Sequence, residues 1–165
     1  MAHITLYHGS LTSVPHPLVN VGRKDLDFGQ GFYVTDIRTQ AEEWANTLKD
    51  RSKNPSVPVL NTYSYQDERE SACNVLLFAE YNKEWLDFIC SSRRGERPWK
   101  HFDIIKGGIA NDSVIDTVDA YMAGLIDEVT ALGRLIYHKP NNQICFLNQS
   151  IIDTQLSFIK SEILK

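Results

Sequence analysis

Three short stretches hold side chains able to do chemistry: Leu6-Tyr7-His8-Gly9-Ser10, then Asp25 to Thr35 (DLDFGQGFYVT), and Asn142-Gln143-Ile144-Cys145-Phe146 towards the other end. In the first, an imidazole precedes a residue with no side chain, so a polar ring tip stands beside open backbone. In the second, Gly29 and Gly31 interrupt an apolar run that ends Phe32, Tyr33, Val34 and Thr35. Glycines there let backbone approach a ligand closely, and Tyr33 just beyond presents a flat ring. The pattern predicts two strand ends flanking one cleft, with His8 and Tyr33 facing into it. Taken as residues alone, His8 also fits a strand-end histidine bonded to backbone, Tyr33 a core aromatic, and Gln143 a surface polar residue of a strand.

Other groups belong to the same inventory. Ser10 offers a small hydroxyl or simply bends the chain. Arg23 and Lys24 bring positive charge to the loop before the second stretch, and Arg23 also fits a solvated loop arginine. Among carboxylates, Asp112 beside Asn111 reads first as a helix cap, Asp103 as the partner of an arginine between positions 93 and 97, and Glu80 as a further candidate. The five histidines (3, 8, 16, 101 and 138) lack ligand spacing, so no metal is expected. Cys73, Cys90 and Cys145 are scattered and odd in number, which predicts reduced thiols in a core rather than a disulfide framework.

The elements that must position these residues follow from length and pattern. With 165 residues, 42% of them hydrophobic, the chain is read as one domain, 1–165, with a real core. A net charge of −4 leaves no basic surplus and disfavours nucleic acid as the main partner. No apolar run reaches the roughly 18 residues a membrane span needs, and MAHITLYHGS has no basic segment followed by an apolar one, so a cytoplasmic location is expected.

Strands are expected over residues 3–8, 32–35, 57–65, 75–79, 102–105, 143–147 and 157–163, the fourth returning as a hairpin partner of the third. Helices are expected from Asp36 or Thr39 through Leu48, with Ala41, Trp44, Ala45 and Leu48 on one buried face, and over 83–91. Two more follow: one capped by Asn111 or Asp112 and ended by Gly124, and a short one from Asp127 to about Leu132. A turn or short helix lies near Ser150. Residues 11–25 form an irregular loop, 67–70 a solvated turn and 91–98 a polar loop. Strands and helices intersperse without βαβ regularity, which gives an α+β fold.

LYHGS followed by FGQGFYVT, then Gln40-Ala41 and Trp44-Ala45, resembles the ADP-ribosyltransferase superfamily, in its poly(ADP-ribose) polymerase-like branch. More closely it resembles a little-characterised bacterial domain family of unknown function placed within that superfamily. The resemblance covers the N-terminal third and reaches, more loosely, to Gln143. It implies a split two-sheet β-sandwich with peripheral helices and NAD as co-substrate. It further implies that His8 donates to a hydroxyl of the nicotinamide ribose, that Gly9 backbone pairs with the carboxamide, and that Tyr33 stacks on nicotinamide. Ser10, Arg23, Gly29, Gly31 and Phe32 would line the NAD site, and Gln143 would hold the position where many members carry glutamate.

That last departure matters, because an amide bonds ribose but takes up no proton as a carboxylate base does. The expected activity is mono-ADP-ribosyl transfer to an unknown protein or nucleic-acid acceptor, in a toxin-like bacterial role with an antitoxin-like partner. The alternatives are an inactive module binding NAD or ADP-ribose, and an NAD glycohydrolase that uses water as acceptor.

Overall fold

Residues His3–Ser10 place Leu6 in the core while the neighbouring positions stay more open, the period-two pattern of a strand with one face covered. This strand, β1, opens a computed structural model that describes residues 3–110 and 112–165. In chain order there follow β2 (Phe32–Val34), α1 (Arg38–Arg51), β3 (Val59–Gln66), β4 (Val75–Leu77), α2 (Lys83–Arg93), β5 (Ile104–Gly107), α3 (Asp112–Met122), α4 (Glu128–Leu135), β6 (Gln143–Phe146), α5 (Gln149–Gln155) and β7 (Leu156–Ile163). The architecture is α+β, as expected.

The strands form two sheets. One has the order β1-β3-β7, antiparallel throughout; the other runs β2-β6-β5-β4, with β4 parallel to β5. Between them packs a core of Leu6, Phe32, Val34, Tyr63, Tyr65, Ile104, Phe146, Ile151 and Ile152. The far face of the four-stranded sheet carries a second core, in which Trp85, Ile89, Val118 and Leu135 from the helices meet Phe28, Ile105 and Cys145. A single backbone bridge, Tyr7 with Thr35, joins β1 to the segment just after β2.

Several expectations need correction. Residues 75–77 do not return as a hairpin but pair in parallel with β5 in the other sheet, Val75 opposite Ile104. The cap of α1 is Ile37, which makes no side-chain bond; neither Asp36 nor Thr39 serves. Trp44 is 46% exposed rather than buried, with the Arg51 guanidinium 5.8 Å from its ring, because α1 rests on β1 through the small residues Ala41 and Ala45. Glu70 is no solvated turn residue: it accepts from Tyr65 and from Lys106, both at 2.6 Å. The cap expected at Asn111 lies outside the described residues, as does the side chain of Asp112.

Elsewhere local signals held. Gly124 takes φ +76 and donates to Tyr121, closing α3. Asp127 caps α4 by accepting from Thr130 N–H at 2.8 Å.

Candidate functional site

At the Tyr7–Thr35 bridge the two strands exchange both bonds, Tyr7 N–H to Thr35 at 2.8 Å and Thr35 N–H to Tyr7 at 3.0 Å. Peptide groups alternate sides along a strand. Those of Tyr7 therefore face β2, those of His8 face β3 opposite Asn61, and those of Gly9 face β2 again. Beyond the bridge β1 and β2 are no longer paired, so the Gly9 N–H and C=O point into the gap between the sheets. The face of Gly9 at right angles to these groups is closed: a Cβ there would overlap the Ala41 carbonyl and the Ala45 nitrogen of α1. Glycine is required because helix backbone lies against strand backbone, while the in-plane edge stays free.

His8 bridges the same gap. Its Nδ1–H donates to the Tyr33 carbonyl at 2.7 Å, and its ring packs on Phe32 with centroids 4.4 Å apart. Since a carbonyl can only accept, the neutral ring carries its proton on Nδ1, and Nε2 is left as an acceptor. Burial depresses the His8 pKa, partly offset by the bond to Tyr33, which favours this neutral form. In this tautomer the free ring nitrogen of His8 is an acceptor, whereas the role implied by the resemblance is that of a donor.

Tyr33 is half-buried, and its hydroxyl is fully engaged, donating to Gly29 at 2.7 Å and accepting from Phe28 N–H at 3.0 Å. Burial pushes its pKa well up. What Tyr33 can offer a ligand is its ring face; its hydroxyl braces the loop. That loop has a second anchor. Asp27, only 7% exposed, takes Arg93 Nε–H at 2.7 Å on one oxygen and Ala110 N–H at 2.7 Å on the other.

Gly29, at φ +94, lies under the Trp99 ring, and Gly31 lies against the Cys145 sulfur and the Phe146 carbonyl. The close approaches that demand glycine here are contacts within the protein. Phe32, expected at the ligand, is 5% exposed and sits in the core beneath His8. The Ser10 hydroxyl accepts from Thr12 N–H at 3.2 Å and so bends the chain. Arg23 is exposed and in no salt bridge among the described residues.

Gln143 stands at the start of β6. Tyr33 pairs with Cys145, so Gln143 is its diagonal neighbour on the same sheet face, a relation that spans roughly 7–8 Å between backbones. Beyond Gln143 a cavity of about 450 Å³ opens, lined among others by Asp36, Lys106, Lys139 and Asn142. His8 and Gly9 thus meet the Tyr33 backbone at one strand end, the Tyr33 ring lies on the helix-covered face of its sheet, and Gln143 stands beside it at the border of this cavity.

The three alternative carboxylates lie elsewhere or out of view. Asp103 accepts from Asn74 N–H at 2.9 Å and from the Asn148 amide at 3.0 Å, not from an arginine. Arg93, expected in a loop, ends α2 and serves Asp27 instead. Glu80 is exposed in the turn before α2. Asp27 and Trp99 carry no local signal that marks them as site supports: each matters through partners 66 to 83 positions away for Asp27, and through Gly29 for Trp99.

Fold and site together define an α+β protein whose two sheets part at a His-Gly strand end. Residues 4–158 match the family described as Protein of unknown function (DUF3990), and the chain belongs to that family. No curated protein matches it. Among the described residues, no helix is long and apolar enough to cross a membrane.

Proposed function

We propose that this protein is an NAD-dependent mono-ADP-ribosyltransferase-like enzyme that breaks the nicotinamide–ribose bond and passes ADP-ribose to an acceptor. One observation carries the reading: where β1 leaves β2, the free edge of Gly9 follows directly on His8, whose ring is bonded to the Tyr33 carbonyl at 2.7 Å. A primary carboxamide needs one donor and one acceptor side by side, which the N–H and C=O of a single extended residue supply. His8 Nε2 would accept from a ribose hydroxyl, and the Tyr33 ring would hold the cationic pyridinium by cation–π attraction. The two-sheet architecture suits the split sandwich that the resemblance implies.

The chemistry asks little covalent work of the protein. As nicotinamide leaves, the ribose gains oxocarbenium character, and positioning with electrostatics provides most of the acceleration. The Gln143 amide can hold a ribose hydroxyl but cannot accept its proton. That amide favours a second reading, a module that binds NAD without efficient turnover. Nicotinamide release from labelled NAD tests both. Release that is lost in Tyr33→Ala supports the enzyme, and following the labelled ADP-ribose separates transfer from hydrolysis. Tight NAD binding with no release supports the module; no binding at all rejects both.

A further inference from the structure

We propose that Asp36 is the catalytic base of this site, the carboxylate that takes the acceptor's proton in place of a glutamate at position 143. The inference rests on the transferase reading above. It comes from register and cavity lining. Val34 pairs with Ile144, so the next two residues of each strand, Thr35 and Asp36, run beside Gln143 and Asn142. The Asn142 amide donates to Asp36 Oδ1 at 3.3 Å, which holds the carboxylate across the strand ends.

Gln40, in the first turn of α1, fixes both sides. Its amide donates to Thr35 Oγ1 at 3.3 Å and to the Asn142 carbonyl at 3.2 Å. Asp36 is thereby set at a bend between a strand and a helix, without capping the helix. It is exposed, and its second oxygen has no partner among the described residues. Among the described residues that line the cavity beyond Gln143, Asp36 alone is a carboxylate; the charged groups facing it there are Lys106, itself bonded to Glu70, and Lys139.

The step balances without a further reactant. The C–N bond between ribose C1′ and nicotinamide breaks, its electron pair going to the pyridine nitrogen. A lone pair of the acceptor forms the new bond to C1′. The acceptor's proton passes to Asp36 and then to water. The cavity would receive the acceptor on the side of Gln143 away from Gly31, so donor and acceptor enter from opposite ends of the same strand pair.

The test uses the whole chain, NAD labelled in nicotinamide and in adenine, and water as the acceptor probe. Asp36→Asn is expected to keep NAD affinity and thermal stability while release falls about 100-fold or more. Gln143→Glu in the Asp36→Asn background, which returns a carboxylate to the neighbouring strand, is expected to restore much of the rate. An active wild type with an unchanged Asp36→Asn rate overturns the role of Asp36 and leaves the transferase reading standing. Loss of NAD binding in Asp36→Asn also overturns it, since the residue would then serve binding. A wild type that binds NAD but releases nothing overturns the proposal and the enzyme reading together.

Discussion

The Nδ1–H of His8 donates to the Tyr33 carbonyl at 2.7 Å across the gap where the two sheets part. One bond thus sets the tautomer of the imidazole and the separation of the two strand ends. Because the ring is desolvated, His8 holds a pKa below its ordinary 6.5.

That depression has a pH consequence. The unfolded chain binds a proton at His8 more readily than the folded one, so stability rises with pH through this window. The contribution is fully present above about pH 6.5 and is lost as pH falls through the lower folded value. An NMR titration should place His8 below the ordinary histidine value of 6.5, with nitrogen shifts of an Nδ1–H tautomer. In His8→Asn, the decline in unfolding free energy on acidification should be shallower than in the wild type.

Tyr33→Phe separates the two jobs of the tyrosine. Without the hydroxyl, Phe28 N–H and the Gly29 carbonyl lose their partner. The loss is expected to cost about 1–3 kcal/mol in a urea melt, the usual penalty for stranded, part-buried polar groups. The ring persists, so NAD affinity should fall far less than in Tyr33→Ala, as read by a binding titration.

Asp27→Asn removes the charge that meets Arg93, a pair only 9% and 19% exposed. Breaking one side of such a pair should lower stability by about 3 kcal/mol. The affected loop carries Phe28 and Gly29, so limited proteolysis of the variant should cut near residues 20–30 where the wild type resists.

Gly9→Ala and Gly133→Ala form an opposed pair. A methyl at Gly9 strikes the backbone of α1, and separating helix from strand should cost about 2 kcal/mol or more. Gly133 lies within α4 with nothing within 4 Å of the added carbon, so alanine should stabilise by about 0.5–1 kcal/mol. Thermal unfolding of the two variants should move in opposite directions.

Much of the fold was legible from residues acting on near neighbours. Asp127 caps the helix beginning one residue later, Gly124 ends the one before it, and residues 11–31 carry no helix or strand. The HGS and FGQGFYV segments declared themselves as strand ends through glycine beside apolar alternation. Such signals depend on backbone sterics and hydrogen bonds spanning a few residues.

The tertiary structure decided what depends on partners far along the chain. Trp44 has helical spacing with Ala41 and Ala45, yet only the two alanines let α1 approach Gly9, so the large ring is turned outward. Residues 75–77 read as any short apolar strand, and their parallel pairing with β5 reflects which edge the second sheet left open. Asp36 looked like a cap until the β2–β6 register set it beside Asn142 and Gln143, more than a hundred positions away. The sequence by itself determined which residues could form strand ends, caps and a cleft edge. Which side chains meet there was decided by register and close packing, because those contacts arise only when distant segments exclude water together.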